Sequence, residues 1–357
     1  MIPSNLPRSG QSTMLAERTS QILAHVIGEY VDTALPVGSE TIVRKYRLPI
    51  SAATVRNEMA RLEEEGYITH PHTSAGRIPS DKGYRYYVES LMEEEELSED
   101  EKQAIGQRFL HVAQTADSRL DSLEEWVRLV AAVIAESVRN AVVATVPRAP
   151  QCRLQHLEMV SLDQSRALLI VVFLGAHVRQ RHIGLPEPAD QEHLAALAGR
   201  LSEIYGGFTL DQVRADQTLL SSLEKQLLEF VEELMAVEEQ SLFDEAYLGG
   251  MLHIFNQPEF SQMNVALEML AVLQEGNLPK AIPFDSLPGE GVRVVIGGEN
   301  RQDTMRRCSV VLTRYGVPSA ASGALAVFGP TRMRYSRVIP AVRYLSSLMG
   351  ERVARLC

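Results

Sequence analysis

Pro49 separates two short stretches of helical pattern near the start of the chain. Gly38 and Ser39 precede the letters ETIVRKY, and Ser51 precedes a second stretch that ends at Glu65. A serine hydroxyl accepts hydrogen bonds from the free amides of a first helical turn, so Ser39 and Ser51 are predicted to cap two helices. Because proline lacks the amide hydrogen that a helix interior needs, the helices stay separate. Two short helices joined by a few residues predict a helix-turn-helix.

A longer amphipathic helix is predicted ahead of this pair, and a β-hairpin after it. Apolar residues recur before the pair at the spacing of a helix that packs one face on a core. After Gly66, the segment YITHPHTSAGRIPSDKGYRYYV predicts a hairpin whose turn lies at Ser74 to Gly76. Three helices followed by a hairpin predict a winged helix. The amphipathic stripe consists of Leu15, Ile22, Leu23, Val26, Ile27 and Tyr30.

The second helix of the pair has two different faces when its residues are placed about 100° apart. One face is apolar and is expected in the core, while the other combines small residues with polar ones. Small residues allow close approach to a surface, and Asn and Arg match the hydrogen-bonding edges of adenine and guanine in the major groove. The sequence therefore predicts a DNA recognition helix. The apolar face holds Ala52, Val55, Met59 and Leu62, and the other face holds Ala53, Asn57, Ala60 and Arg61, with Thr54 and Arg56 at its flanks.

The candidate DNA contacts come from this helix and from the hairpin. Ser51 lies at the positive end of the helix dipole, where a phosphate oxygen is favoured. Basic side chains of the hairpin are expected to straddle the DNA backbone beside the groove. Taken singly, each candidate is more often a solvated surface residue than a DNA contact, and the order of the elements is what favours DNA binding. The candidates are Ser51, Thr54, Arg56, Asn57, Arg61, His72, Arg77 and Lys82.

The distribution of charge supports this prediction although the chain as a whole is acidic. The net charge is −11, yet the segment from Arg44 to Arg85 holds eight basic residues against five acidic ones, an excess of three. A local excess of positive charge attracts the phosphates of nucleic acid. The segment from Glu93 to Lys102 then holds seven acids and one base, which is typical of a linker. A domain boundary is therefore predicted there.

The rest of the chain predicts an α+β domain interrupted by a helical insertion. Helical periodicity from Ala104 to Val138 is followed by strand patterns in RLQHLEMVSL and RALLIVVFLGAHVRQRHIGL. A mostly helical stretch then spans Gln191 to Leu278. Strand patterns return in VRVVIGG, CSVVLTRYG and GALAVFG, before a closing helix from Tyr335 to Leu348.

The sequence indicates no membrane span, catalytic site, metal or cofactor, and predicts that the protein is not an enzyme. The longest apolar run, from Ala167 to Ala176, is shorter than the roughly 20 residues of a membrane-spanning helix and predicts a buried strand. No secretory signal is recognisable, so a cytoplasmic location is expected. Cys152, Cys308 and Cys357 lie far apart and are expected to be reduced thiols. The paired glycines of VVIGGEN lack the third glycine of a dinucleotide-binding motif and predict a turn.

Four long segments resemble the bacterial heat-inducible transcription repressor family HrcA. They are PVGSETIVRKYRLPISAATVRNEMARLEEEGYITHPHTSAGRIPSDKGYRYYV near the N-terminus and, further on, YLGGMLHIFNQPEF, VRVVIGGEN and GPTRMRYSRVIP. The resemblance implies a homodimer that binds an inverted-repeat operator in double-stranded DNA and represses chaperone genes until heat shock, with a GroE-type chaperonin as modulator. It also implies a GAF-like body and an inserted dimerisation domain. The expected domains are a winged helix-turn-helix at 1–92, the body at 103–190 and 279–357, and the dimerisation domain at 191–278.

Two other functions fit parts of the pattern. A winged-helix regulator could respond to a metabolite held in a GAF-like domain, and an enzyme could carry the winged helix as a protein-interaction module. The long signature segments favour the repressor over the first, and the lack of a catalytic pattern disfavours the second. An apolar stripe in the insertion suits either a dimer interface or the core of one chain. Its members are Leu219, Leu223, Leu227, Leu228, Val231 and Leu234.

Overall fold

The structure, a computed structural model, divides the chain into two compact units. Both units contain helices and strands, so the predicted α+β fold class is confirmed. The first unit comprises Met1–Val146, Ala246–Gly316 and Gly323–Arg355, and the second comprises Pro147–Glu245, Val317–Ser322 and Leu356–Cys357. The described residues are 15–71, 76–119, 123–148, 152–174, 178–216, 221–240, 245–274, 281–317 and 320–355.

The first unit begins with three helices and a two-stranded hairpin, in the predicted order. Ile22, Leu23, Val26 and Ile27 of the predicted stripe are buried, so the amphipathic character of the first helix is confirmed. This segment ends in a short helix that continues as a π-helical turn at Tyr87–Leu91. The elements are α1 (Glu17–Thr33), α2 (Ser39–Tyr46), α3 (Ala52–Glu64), β1 (Ile68–Thr69), β2 (Ile78–Pro79) and α4 (Asp81–Tyr86).

The two predicted helix caps differ in outcome. Ser51 Oγ accepts a hydrogen bond from the Thr54 amide at 3.1 Å, so the predicted cap of α3 is confirmed. The predicted cap at Ser39 is wrong, because Gly38 occupies the cap position and no side chain caps this helix. The Gly38 carbonyl accepts the Ile42 amide at 3.3 Å, which makes Ser39 the first residue inside α2.

The hairpin is shorter than predicted because its second strand ends at Pro79. The strands β1 and β2 pair antiparallel. Ser80 Oγ then accepts a hydrogen bond from the Gly83 amide at 3.1 Å and caps α4, so the following residues are helical and not extended. Of the predicted turn, Gly76 is described, whereas Ser74 lies outside the described residues.

The remaining helices and strands confirm most of the pattern that the sequence predicts. The predicted strand segments and the closing helix are present, whereas the sequence pattern did not indicate β3 or β7. In chain order the elements are α5 (Glu99–Arg119), α6 (Leu123–Val138), β3 (Ala141–Thr145), β4 (Leu154–Asp163), β5 (Arg166–Phe173), β6 (Val178–Gly184), α7 (Gln191–Tyr205), α8 (Leu210–Ala215), α9 (Ser222–Gln240), β7 (Ala246–Gly249), α10 (Met251–Phe255), α11 (Met263–Leu273), β8 (Val292–Ile296), β9 (Cys308–Val317), β10 (Ala321–Pro330) and α12 (Tyr335–Ala354).

A five-stranded sheet forms the centre of the first unit. Its spatial order is β7, β3, β10, β9 and β8. Every residue of β3 is buried, and α6 packs on β3 and β7 while α12 packs on α6 and β8. A short, continuously apolar run is what a strand with two covered faces requires. The turn predicted in VVIGGEN is confirmed as a 3-10 turn at Gly297–Glu299, directly after β8.

The second unit is built on an antiparallel sheet with the spatial order β4, β5 and β6. Along β5, buried residues alternate with partly exposed ones, so one face of the sheet turns to a core. Helices α7 and α9 complete this core from the same unit. Its residues include Leu157, Leu169, Val171, Leu194, Leu201, Leu227, Leu228 and Val231.

This division differs from the predicted domain boundaries. The prediction places β4 to β6 in the body at 103–190, yet these strands share a core with α7 and α9. It places β7 in the insertion at 191–278, yet β7 pairs with β3 in the sheet of the first unit. The alternation of a strand predicts that one face is buried but not which helices bury it. The acidic segment at 93–102 lies within the first unit and does not divide compact units.

Candidate nucleic-acid interface

Helix α3 turns its core residues and its polar residues to opposite sides, as the sequence predicts. Val55, Met59 and Leu62 are completely buried. Arg56 and Asn57 are exposed on the other side. The residue types that recognise base edges therefore face outward. Ser51, Ala53 and Arg61 are exposed as well, and Ala52, Thr54 and Ala60 are partly exposed.

The N-terminus of α3 has the properties of a phosphate-binding helix end. Ser51 Oγ accepts the Thr54 amide and lies 3.0 Å from the Thr54 hydroxyl. Because the cap uses the Thr54 amide, the amides of Ala52 and Ala53 are left for an incoming acceptor. The first turn contains no acidic residue that would repel an anion. These donors and the positive end of the helix dipole together favour a phosphate oxygen.

The three long polar side chains on the outer face of α3 differ in their partners. Arg56 and Asn57 make no hydrogen bond or ion pair with any residue that the structure describes. Arg61 donates to Glu65 at 2.9 Å, and this hydrogen bond raises the pKa of its guanidinium. Exposed ion pairs of this kind are weak, so Arg61 can exchange its partner for a phosphate. Arg56 and Asn57 are therefore the side chains most available to bases.

Arg77 of the hairpin is largely buried and bonded to other residues of the N-terminal helices and strands. Its Nε donates to Glu63 Oε2 at 3.1 Å, and its side chain is only 15% exposed. Its backbone forms two hydrogen bonds with Val37, at 2.8 and 2.9 Å. His70 Nδ1 contacts the other carboxylate oxygen of Glu63. Burial by itself raises the pKa of the Glu63 carboxyl, but the hydrogen bonds with His70 and Arg77 outweigh it and lower this pKa.

Lys82, which the sequence predicted to lie in the hairpin, lies in α4 and also has partners within the N-terminal elements. Its Nζ donates to the Glu65 carbonyl oxygen at 2.7 Å and lies 4.3 Å from the centre of the Tyr67 ring. A cation at the C-terminus of α3 is favoured by the helix dipole, and one over an aromatic face is favoured by the ring. The third hairpin candidate, His72, lies outside the described residues. The structure therefore shows intramolecular contacts for both described candidates of the hairpin.

Two basic residues that were not among the candidates lie at the end of α2, one in its last turn and one directly after it. Arg44 and Arg47 are exposed and have no hydrogen-bonding or ionic side-chain partner among the described residues. Lys45 between them is instead bonded to Glu29 at 2.5 Å and lies 3.6 Å from Asp32. The signal in the sequence is the spacing of Arg44 and Arg47, because residues three positions apart lie on the same side of a helix. Arg44 and Arg47 thus join the candidate phosphate contacts.

The described residues contain neither a metal-binding group of side chains nor a membrane-spanning helix. They contain no group of three or more His, Cys, Asp or Glu side chains arranged to hold a metal ion. Cys152 and Cys308 are thiols that form no disulfide, as predicted, and burial raises the pKa of the Cys308 thiol to about 12. Cys357 lies outside the described residues. None of the helices within the described ranges is long and apolar enough to cross a membrane.

Known proteins resemble this chain along nearly its whole length. A family described as "HrcA protein C terminal domain" matches residues 124–339, which is more than half of the chain. A relative from Chloroflexus aurantiacus, "Heat-inducible transcription repressor HrcA", is 44% identical and covers 96% of this chain and 95% of its own length. Relatives of the same name from Roseiflexus castenholzii and Dehalococcoides mccartyi are 41% and 37% identical, and they cover 97% and 96% of this chain and 96% and 97% of their own.

A solved structure shares the fold. It is described as a crystal structure of a hypothetical protein, and it matches with a TM-score of 0.56 at 21% identity over 96% of this chain and 100% of its own. At this identity the match supports the fold alone. The relatives named as repressors are far more similar and extend through the N-terminal elements, which the family match does not cover. The chain belongs to the HrcA family of heat-inducible transcription repressors.

Proposed function

We propose that this chain is a heat-inducible repressor of chaperone genes that binds an inverted-repeat operator as a homodimer. The observation that carries the proposal is the outer face of α3, where Arg56 and Asn57 are exposed without a partner among the described residues. Such side chains are available to form bidentate hydrogen bonds with guanine and adenine. The names of the curated relatives support the repressor function and its relief by heat.

In this proposal α3 enters the major groove of DNA and the residues around it bind the backbone. The free amides of Ala52 and Ala53 donate to the oxygens of one phosphate, and Arg44 and Arg47 bind the neighbouring phosphates. Phosphate contacts fix the position of the helix, and contacts to bases select the sequence. The hairpin acts as the wing of a winged helix-turn-helix. Arg77 fastens it to α3 through Glu63, so this arginine acts on DNA binding through position.

Two copies of the chain are needed because one copy has few contacts to offer. The basic excess of the N-terminal segment is three residues on a chain of net charge −11. Each neutralised phosphate adds only a limited, salt-dependent gain in affinity, so one copy on one half-site binds weakly. A twofold dimer places two α3 helices on one side of the duplex, with half-site centres separated by a multiple of about 10–10.5 base pairs.

The surface that joins the two copies is not the apolar stripe of α9. Leu227, Leu228 and Val231 are buried in the core of their own unit, so this part of the stripe serves the single chain. Leu223 and Leu234 pack against the same core, and Leu219 lies outside the described residues. Since a side chain buried in one core cannot also form a dimer interface, another apolar surface is required.

The outer face of the β4 to β6 sheet is one exposed apolar surface that a partner copy can cover. Leu168 of β5 lies opposite Val160 of β4, and Val172 lies opposite Val178 of β6. Val160 and Val178 are 37% and 57% exposed. These residues alternate with the buried ones of the same strands, so they share the face that turns away from α7 and α9. Contiguous exposed apolar residues mark protein interfaces.

Three further parts of the proposal rest on the family resemblance. The five-stranded sheet with α6 and α12 would correspond to the GAF-like body. A GroE-type chaperonin would modulate the active state of the repressor. The cytoplasm is the compartment in which both the operator and this chaperonin are found.

Operator binding tests the proposed function directly. The DNA upstream of the chaperonin genes in the source genome is compared with a shuffled sequence and with a single half-site, at one fixed salt concentration. Fluorescence anisotropy gives the affinities, and light scattering gives the mass of the protein and of its complex. We expect tight binding of two chains to the inverted repeat and binding at least tenfold weaker to the other two DNAs. Equal affinity for the repeat and the shuffled DNA would reject the repressor assignment.

A further inference from the structure

A cavity of about 680 Å³ lies within the first unit, away from the outer face of α3. It is lined by Val31 near the end of α1, by α5, by the last turn of α6 and by the residues that lead into α12. Three of its arginines come from the segment GPTRMRYSRVIP, for which DNA binding gives no role. Its volume is within the range of sites for small molecules, about 300–1,000 Å³.

The lining of this cavity is strongly basic. It contains five arginines and two glutamates, an excess of three positive charges in an acidic protein. Like charges brought together at a concave surface repel one another unless they have counterions. The charged residues are Arg108, Arg139, Arg332, Arg334 and Arg337 with Glu101 and Glu136.

Three of the arginines already have partners. Arg332 donates to Glu259 at 2.5 Å and to Gln257 at 2.7 Å. Arg334 donates to Asp32 at 2.9 Å. Arg337 is ion-paired with Glu101. These bonds fix one wall of the cavity in place but leave little of its charge for a ligand.

Arg108 and Arg139 are the two that have no ionic or hydrogen-bonding side-chain partner among the described residues. Arg108 is exposed on α5, and Arg139 follows the last residue of α6. Arg139 has a left-handed backbone with φ of 51°, a conformation in which glycine is favoured over residues with a side chain. The dipole of α6 favours a cation at this end, so Arg139 alone would indicate no ligand. The second unpaired arginine and the cavity between them are what indicate one.

We propose that this cavity binds a small phosphorylated anion with two or more negative charges, such as pyrophosphate or the diphosphate group of a nucleotide. Guanidinium groups bind phosphate oxygens through two parallel hydrogen bonds, and Arg108 and Arg139 are free to do so. The anion also supplies a counterion to the two arginines of the lining that have none among the described residues. The three paired arginines are already held in place, so binding to the two unpaired arginines of the same cavity requires little reorganisation of the rest of the lining.

The test uses the full-length protein and two ligands, inorganic pyrophosphate and adenosine diphosphate. Isothermal titration calorimetry measures binding at constant ionic strength, with potassium chloride and sulfate as comparison salts. We expect saturable binding of one anion per chain and a melting temperature that rises with ligand concentration, because a ligand that binds only the folded state stabilises it. Tighter binding of the nucleotide assigns a contact to its base or sugar, and equal binding assigns recognition to the phosphates; both agree with the proposal.

Variants of the two unpaired arginines show whether binding occurs in this cavity. Arg139→Gly removes the side chain at a position whose backbone suits glycine, and Arg108→Ala places a good helix former on an exposed helix position. Both unliganded variants are therefore expected to melt no earlier than the wild type. Each should lose at least tenfold in pyrophosphate affinity, while Arg293→Ala, an exposed arginine on β8, should bind like the wild type.

Two results would overturn the proposal. One is the absence of saturable binding, or binding that the double variant Arg108→Ala, Arg139→Gly retains. The other combines two observations: the wild type does not bind pyrophosphate, and the double variant binds random DNA with a flatter salt dependence than the wild type. This result would reassign both arginines to DNA phosphates. The anion site is independent of the proposed repressor function, because calorimetry without DNA tests the first and operator binding tests the second.

Discussion

Helix α3 and the hairpin that follows it contain the same kinds of basic residue but use them differently. Arg56 on α3 is exposed and has no partner among the described residues. Arg77 in the hairpin donates to the Glu63 carboxylate, and Lys82 in α4 donates to the Glu65 carbonyl oxygen at the end of α3. A basic residue beside a DNA-binding helix can therefore serve the DNA or the protein itself, and the groups within reach of it decide which.

The largest expected effect concerns the two faces of α3 itself. Leu62→Ala should lower the free energy of unfolding by about 2–5 kcal/mol, because it leaves a cavity at a fully buried position. Glu64→Ala, on the exposed side of the same helix, is the matched control and should change it by less than about 0.5 kcal/mol. Urea unfolding followed by circular dichroism measures both. Similar losses in the two variants would contradict the assignment of the faces.

The second prediction concerns recognition of bases by the exposed face. Arg56→Ala and Asn57→Ala should each cost about 1–3 kcal/mol of discrimination between the operator and shuffled DNA. Thermal unfolding should be unchanged, because neither side chain is buried. Anisotropy titrations on both DNAs give the discrimination, with Arg293→Ala as the control. If either variant loses affinity equally on both DNAs, that residue contacts phosphates and not bases.

The sequence predicted the two faces of α3 but not the partners of the hairpin residues. Helical periodicity depends on neighbouring positions, so Val55, Met59 and Leu62 are identified as core from the sequence alone. The Glu63 partner of Arg77 is 14 positions away, and only the folded hairpin brings the two together. A charge count gives the same weight to Arg56 and Arg77, whereas the structure separates them by their partners.

The difference between neighbouring and distant positions also explains why the helices and strands were predicted better than their packing. Strand β5 shows the alternation of one buried face, but alternation does not indicate that α7 and α9 supply the core. Strand β7 has only four residues, which is too short to give a clear pattern, and the buried strand β3 shows no alternation of apolar and polar residues. The cap at Ser39 was mispredicted because the Ile42 amide donates to the Gly38 carbonyl oxygen. Helix α2 therefore begins at Ser39, one residue earlier than predicted.

The third prediction extends the comparison from bases to phosphates. Arg44→Ala and Arg47→Gly should each make the slope of log affinity against log salt less steep by about 0.9, or about three- to fourfold in affinity between 50 and 200 mM salt. Glycine is chosen at position 47 because its backbone is left-handed, with φ of 51°. Arg77→Ala should leave the slope unchanged and lower the melting temperature instead, because its guanidinium is bonded to Glu63.

Titrations on random DNA at several salt concentrations separate these two behaviours. A flatter slope for Arg77→Ala with an unchanged melting temperature would show that this arginine leaves Glu63 for a phosphate when DNA binds. The contrast between α3 and the hairpin would then hold only for the free protein. An unchanged slope of log affinity against log salt for both Arg44→Ala and Arg47→Gly would show that the end of α2 does not contact DNA.

The smallest expected effect is the pH dependence of the contact that fastens the hairpin to α3. Burial by itself raises the pKa of Glu63, but hydrogen bonds with His70 and Arg77 outweigh it, so this pKa is lower in the folded protein than in the unfolded chain. A carboxyl with a lower pKa in the folded than in the unfolded state stabilises the fold above its unfolded pKa, and this stabilisation is lost as the pH falls through the folded pKa. The stability advantage of the wild type over Glu63→Gln should therefore be present at about pH 5 and shrink as the pH falls below about 4.3.

Urea midpoints of the wild type and Glu63→Gln, measured at steps from about pH 5 down to about pH 3, test this dependence. Glu64→Gln is the matched control, because Glu64 is exposed on the same helix turn and makes no ion pair with a described residue. Its stability difference from the wild type should stay constant over the same range. If the advantage over Glu63→Gln also stays constant, charge does not fasten the hairpin. The two backbone hydrogen bonds between Arg77 and Val37 would then be sufficient to hold it, and the Arg77 guanidinium would be available to DNA after all.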